Sequence, residues 1–202
     1  MKQYTGVNLY NYAVSGAVCS NDITPRWFSA IKAPFPAVAQ YEVPAYIADS
    51  HYVNQTTGKK FMYDPADATV YAIWIGTNDL GNYAFLTDSE VAGATLANYT
   101  DCVFSELKKV YDNGGRYFVI NNNAPLNLAP QYSLPGHGGL NATQYWPDKS
   151  GNLTEISEKM RQYVAATNDI YEYETPFQVK VANMFPGAHF ALYNVNGLVR
   201  LS

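Results

Sequence analysis

Charge is scarce in this chain of 202 residues. Asp, Glu, Lys and Arg together make up 15%, with 13 basic side chains against 17 acidic ones and a net charge of -4. The pI is about 5.3. No Lys/Arg run or basic patch is present to release counterions from a phosphate backbone, which excludes nucleic acid as a partner. No apolar run approaches the roughly 20 residues that cross a bilayer, so no membrane partner is expected either. The opening Met1–Asn8 holds no apolar segment of signal-peptide length. That leaves a cytosolic chain, a processed one, or one whose true beginning lies elsewhere. Cysteine is almost absent: Cys19 and Cys102 stand far apart, match no metal-ligand spacing, and form either one disulfide or two buried thiols. Only three histidines occur. There is no internal repeat and no low-complexity segment, and nothing implies a metal or a cofactor.

The chain does hold apolar material, 48% of its residues. That is ample for one core in a single domain over 1–202. The stretch Thr69-Val-Tyr-Ala-Ile-Trp-Ile-Gly-Thr-Asn-Asp-Leu-Gly81 organises the rest. Its first half is β-branched and aromatic and predicts a buried strand over 69–75. Its second half stops that strand with small polar residues. They are ordinary turn formers, and a strand that ends this way before a helix is also how an open α/β sheet presents a ligand crevice. Upstream, Val7–Val14 predicts a strand that ends in Ser15-Gly16-Ala17. Pro25, Pro34, Pro36 and Pro44 interrupt the next segment, with Arg26, Trp27, Phe28 and Phe35 as anchors of a packed loop. A short helix is expected within 37–51 and a turn at 54–60. Thr87-Asp-Ser-Glu90 reads as a capping box. It opens a helix that buries Tyr99, Val103, Leu107 and Val110 on one face and stops at Asn113-Gly114-Gly115. Arg116–Asn121 predicts a strand that runs into Asn121-Asn122-Asn123. Ala124–Gly151 is irregular and long enough to be functional. Asn152 or Thr154 caps a second helix with Ile156, Met160, Tyr163, Thr167 and Ile170 on one face, closing at Glu174-Thr175-Pro176. A further strand is read at 189–195. This alternation predicts an α/β, doubly wound, mostly parallel sheet with the crevice at the strand C-ends.

Asn11-Tyr-Ala-Val-Ser-Gly-Ala17, followed by Gly76-Thr-Asn-Asp-Leu-Gly81, resembles the second and third sequence blocks of the SGNH (GDSL) hydrolases. The Trp27–Asp49 region and Tyr145-Trp-Pro-Asp-Lys-Ser-Gly-Asn-Leu-Thr-Glu-Ile-Ser157 resemble fungal members of carbohydrate esterase family sixteen, which are acetylesterases. The resemblance implies a flavodoxin-like sheet and ester hydrolysis through a serine nucleophile and an acyl-enzyme. It implies that Gly16 gives a backbone N–H, and Asn78 a side-chain N–H, to the oxyanion. Fixed neutral donors suit that task, because acyl transfer places negative charge on the carbonyl oxygen in the transition state. Asp79 is read as the structural acceptor that holds the turn. Two family blocks have no match: no Gly-Asp-Ser precedes the Ser-Gly block, and no Asp-x-x-His follows near the C-terminus. His51, His137 and His189 read as surface or packed histidines, and Ser15, Ser20 and Ser89 have no nucleophile context. The resemblance therefore implies the central portion of an SGNH domain, without the nucleophile strand and the C-terminal helix region, and inactive alone. Two strand edges would then flank a gap.

Four Asn-x-Thr sequons, at Asn54, Asn98, Asn141 and Asn152, predict a secreted glycoprotein. The 18 tyrosines offer stacking faces with a hydroxyl, which suit sugar. The expected partner is an acetylated saccharide or a small ester. The competing expectation is a non-catalytic carbohydrate-binding protein that uses the same crevice.

Overall fold

The computed structural model describes residues 6–201; Met1–Thr5, the start of the Met1–Asn8 stretch, and Ser202 lie outside them. Three apolar segments, β3 (Val70–Ile73), β4 (Tyr117–Asn121) and β5 (His189–Tyr193), form a parallel sheet in the order β3-β4-β5. The register aligns Val70 with Tyr117 and Tyr117 with His189, and carries on residue by residue to Asn121 beside Tyr193. A separate two-stranded ribbon, β1 (Trp27–Phe28) with β2 (Ala33–Pro34), carries the expected anchors. Phe28 packs on Phe35 with ring centroids 4.9 Å apart.

The strand expected at 7–14 does not form. Residues 6–14 run as irregular chain, with Val7 and Leu9 exposed. A strand needs a ladder partner for its backbone polar groups, and among the described residues none lies alongside. Tyr12 instead anchors the segment sideways. Its hydroxyl donates to Asp49 at 2.9 Å, and its ring meets Tyr46 edge-on.

Helix α1 (Val43–His51) continues from a wide helical turn at Val38–Glu42, with Pro44 in its first turn. Helix α2 (Leu96–Asp112) buries Tyr99, Val103, Leu107 and Val110 as expected. Its start is not where the Thr87–Glu90 pattern predicts. Phe85–Thr87 is a short 3-10 turn, and Asp88 is left-handed. Val91 N–H is tied to the Ile23 carbonyl at 2.8 Å, which holds this stretch outside any helix. The capping box is Thr95 with Asn98, each side chain bonded to the other residue's backbone N–H. Gly114, at φ 108°, ends the helix in the left-handed conformation.

Helix α3 (Leu153–Pro176) starts at the Asn152 cap and buries Met160, Val164, Thr167, Tyr171 and Thr175. Two expected positions are displaced by one residue: Tyr163 and Ile170 lie half-buried at the edge of the stripe, while Val164 and Tyr171 take the centre. The reason is a specific partner. The Tyr171 hydroxyl donates to that of Tyr99 at 2.7 Å, and Tyr99 donates to the Ile75 carbonyl at 2.9 Å. Both tyrosines are fully buried, so each hydroxyl needs a bond where water cannot supply one. A short helix α4 (Val195–Leu201) follows β5.

The core lies on one face of the sheet, where Phe118 and Ile120 meet Tyr71, Ile73, Phe190 and Leu192 beneath α2 and α3. The expectation of an α/β fold with a parallel sheet holds. Helix cover on both faces is not seen among the described residues: the alternate positions of all three strands are exposed or half-exposed.

Replacing Tyr99 by Phe leaves the Ile75 carbonyl and the Tyr171 hydroxyl short of a partner. The expected cost is about 1–3 kcal/mol, a fall in Tm of roughly 2–10 °C at this chain length, measured by calorimetry on the purified chain.

Candidate functional site

Two turns meet just past the C-end of β3. The first is Gly76-Thr-Asn-Asp-Leu80, closed by the Leu80 N–H on the Gly76 carbonyl at 2.8 Å. Gly76 stands at φ 120°, and a Cβ there would collide with the Asn123 carboxamide and the Tyr99 hydroxyl, so only glycine fits. The second is Val14–Ala17, closed by the Ala17 N–H on the Val14 carbonyl at 3.0 Å, with Gly16 at φ 97°. A Cβ on Gly16 would sit 2.9 Å from the Phe35 ring.

Side chains from the first turn hold the second. Asn78 Nδ2 donates to the Ala17 carbonyl at 3.0 Å. Asp79 Oδ1 accepts the Cys19 N–H at 2.8 Å and the Thr24 hydroxyl at 3.3 Å. Cys19 is in turn bonded to Cys102 of α2, which settles the open pairing in favour of a disulfide. In the unfolded chain that bond closes a loop across 83 positions, worth roughly 4–5 kcal/mol by loop-closure entropy. The Ser15–Cys19 segment is therefore fixed to β3's turn by hydrogen bonds and to α2 by a covalent bond.

Asp79 is fully buried, and its Oδ2 has no hydrogen-bond partner among the described residues. Burial disfavours the charged form and pushes its pKa up to about 7; the Cys19 N–H, its own backbone N–H, the Thr24 hydroxyl and the Arg26 charge pull the other way. Arg26 lies over the Phe35 ring, 5.5 Å from its centroid, and its own burial lowers its pKa.

The long segment after β4 closes down on the same region. Asn82 Nδ2 donates to the Tyr145 carbonyl at 2.9 Å, and its Oδ1 accepts Gln131 Nε2 at 2.8 Å. Lys149 Nζ bonds the carbonyls of Gln131 and Leu140 at 2.8 and 2.7 Å. Tyr132 and Trp146 are buried beneath. Asn121, Asn122 and Asn123, read as a crevice edge, turn out to be ties. Asn121 bonds the Ile73 carbonyl, Asn122 bonds Asn194 and the Asn196 N–H, and Asn123 bonds Thr167 and Asn168 of α3.

The structure brings Gly16, Asn78 and Asp79 together and leaves the histidines apart. His51 Nε2 is bonded to Asn113 Oδ1 at 2.7 Å, His189 stacks on Tyr117, and His137 is exposed. Ser133 Oγ donates to the His137 backbone carbonyl at 3.2 Å, but none of the three imidazoles bonds a serine among the described residues. Ser15 is exposed, Ser20 accepts Gln40 Nε2, and Ser89 pairs with Thr87. Of the sequon asparagines, Asn54, Asn98 and Asn152 make their bonds through Oδ1 and not through Nδ2, the atom that carries a glycan, and Asn141 is exposed. The reading from sequence missed Thr24, Asn82 and Gln131. Each is a short polar residue in a loop, with no periodicity to mark it.

A sequence profile described as GDSL-like lipase/acylhydrolase matches residues 1–197. The chain belongs to the GDSL-like lipase/acylhydrolase family. An acetylesterase of Hypocrea jecorina is 37% identical over 196 residues, 96% of this chain and 55% of that protein. An acetylesterase of Thermothelomyces thermophilus is 27% identical over 127 residues, 62% of this chain and 37% of that protein. This GDSL-like chain thus spans little more than half the length of the first relative and less of the second. No helix among its described residues is long and apolar enough to cross a membrane.

The Asp79 carboxyl gives a pH prediction. Its ordinary value is 3.8, and in the fold it titrates at about 7. Between the two, the folded state keeps a proton that the unfolded state has lost, so stability is fully present below about 4 and falls as pH rises to about 7. Tm followed by calorimetry across that window should decline with pH, and Asp79→Asn should make the decline shallower. An equal slope in both proteins would assign it to other groups.

Proposed function

We propose that this chain carries the oxyanion-binding part of a secreted acetylesterase that acts on acetylated saccharides. The observation that supports this best is the bond from Asn78 Nδ2 to the Ala17 carbonyl. A carboxamide has two N–H donors. One is spent on Ala17; the other is free to serve a substrate oxygen beside the Gly16 backbone N–H. Gly16 has no side chain, and the Phe35 ring packs against the turn where a Cβ would project. Neutral donors held before the reaction starts lower the cost of charge developing on the carbonyl oxygen, because nothing reorganises as it develops. Asp79 takes no part in proton transfer in this reading. It holds the Cys19 N–H, and so the pitch of the turn that carries Gly16.

The ester class rests on the family and on the two acetylesterase relatives. The saccharide class rests on the segment resemblance and the tyrosine-rich surface. Secretion is supported by the disulfide, which persists in oxidising compartments, and by sequon asparagines whose Nδ2 atoms are unspent. The serine nucleophile and the Asp-x-x-His base have no matching motif within these 202 residues, so turnover by this chain alone is not expected.

The test uses a chimera in which this chain replaces the matched 196 residues of the Hypocrea jecorina acetylesterase. Acetylated xylo-oligosaccharides should be hydrolysed by the chimera and not by the chain alone. Asn78→Ala in the chimera should lower kcat by about 10²–10³ with KM within a few-fold. An unchanged kcat removes Asn78 from the site, and hydrolysis by the isolated chain at the chimera's rate overturns the missing-nucleophile reading. Removal of the sequon glycans by glycosidase, followed by mass, tests secretion separately.

A further inference from the structure

A groove of about 610 Å³ runs along the face of α2 that carries Asn98, Asp101, Cys102, Ser105 and Glu106. That volume falls within the roughly 300–1,000 Å³ of small-molecule sites. Its opposite wall comes from Ser20, Asp22, Ile23 and Gln40. The Cys19–Cys102 disulfide ties the two walls together. Gln40 Nε2 holds the second wall in place, donating to Ser20 Oγ at 2.8 Å and to Asp22 Oδ2 at 3.1 Å. Among the lining side chains Glu106 is 3% exposed. Its Oε1 accepts Lys109 Nζ at 2.6 Å, and its Oε2 has no hydrogen-bond partner among the described residues. A buried carboxylate oxygen without a donor carries an uncompensated desolvation cost. Asn98 makes its bonds to Thr95 through Oδ1, which leaves Nδ2 as a donor at the groove. Asp101 and Ser105 stand exposed on the next turns of the same helix.

Charge selects the ligand. Asp22, Asp101 and Glu106 repel an anion. The Lys109 ammonium already sits on the buried carboxylate, so a cation would meet an ion pair that is complete. What the groove leaves unmatched is an acceptor at Glu106 Oε2 and a donor at Asn98 Nδ2. A hydroxyl donates and accepts, so a neutral ligand rich in hydroxyls meets both. Ile23, Ala39 and Ala94 add apolar surface for its C–H groups. We propose that this groove binds a neutral saccharide, with Glu106 Oε2 accepting a sugar hydroxyl. Two sources offer that chemistry: a free oligosaccharide, to which Asn98 Nδ2 donates, or a glycan carried on Asn98 itself, whose sequon stands at the groove. The proposal is independent of the oxyanion reading, because it needs no ester and is tested by binding and not by turnover.

Xylotetraose without acetyl groups is titrated by calorimetry into the chain made in a bacterial host, which adds no glycan. The expected result is binding that Glu106→Gln weakens about tenfold, the worth of one hydrogen bond to a charged group. Ser105→Trp, which fills the groove from an exposed helix position, should abolish it. Asn78→Ala should bind like the parent, so loss of the oxyanion site and loss of the groove are told apart. Spermidine and inorganic phosphate should not displace the sugar. The second arm uses the chain secreted from yeast. If the saccharide is the chain's own, glycosidase digestion of the native protein followed by mass leaves the Asn98 glycan in place while it removes the one on exposed Asn141, and Ser105→Trp makes both removable. The proposal is overturned if the bacterial chain binds no sugar and the Asn98 glycan is removed as fast as that on Asn141. Xylotetraose binding indifferent to both Glu106→Gln and Ser105→Trp also overturns it, and displacement by spermidine gives the groove to a cation instead.

Discussion

A strand that ends inside a protein must find a donor for its last carbonyl. For β3 that donor is Asn121 Nδ2 on the Ile73 carbonyl, and two residues further on the Ile75 carbonyl accepts the hydroxyl of Tyr99, itself held by Tyr171. The relay joins β3, α2 and α3 through groups no water reaches, and it sets the rotation of both helices against the sheet. Gly76 follows from it, since the space beside the Tyr99 hydroxyl admits no side chain. The turn that carries Asn78 and Asp79 starts from that glycine.

From there the order passes outward through Asp79. A buried carboxyl with one oxygen doubly bonded and the other unpartnered is costly, and burial moves its pKa into the neutral range. What it obtains is position: the Cys19 N–H and the Thr24 hydroxyl converge on one oxygen, and the Gly16 turn is held against Asn78. The disulfide to α2 adds a restraint that does not depend on protonation. Three kinds of tie, neutral, ionisable and covalent, bear on a segment of five residues that has no regular secondary structure of its own.

The same sheet is well ordered on one side and bare on the other. Its inward side chains pack as in any α/β core, with Phe118 stacked on Phe190 at 4.7 Å. Its outward side chains, Val70, Ala72, Val119, Ala191 and Tyr193 among them, carry no formal charge and are exposed or half-exposed, with His189 stacked on Tyr117 across that face. The failure of 7–14 to form a strand belongs to the same picture. Its sequence suits a ladder, and no neighbouring strand among the described residues offers one.

Much of this was legible in the sequence. Val70–Ile73, Tyr117–Asn121 and His189–Tyr193 announce themselves by β-branched and aromatic content, and the α2 stripe by its spacing, because those signals are local and burial rewards them wherever the chain lies. The pairing of the Gly16 and Gly76 turns was legible through family resemblance, and the geometry brings them together. Other features were decided only by the tertiary structure. Thr87–Glu90 has the residues of a capping box, yet Thr95 caps the helix because Val91 is tied to Ile23. Tyr171 displaces Ile170 from the centre of α3 because Tyr99 needs a hydroxyl partner. Cys19 pairs with Cys102, and Asn121–Asn123 spend their amides on neighbouring elements. The sequence by itself determined which segments would bury apolar surface, since periodicity and propensity are carried by neighbours in the chain. The tertiary structure decided where each polar group would find its partner, since a buried hydrogen bond depends on atoms that are distant in sequence and become neighbours only when the sheet and helices pack.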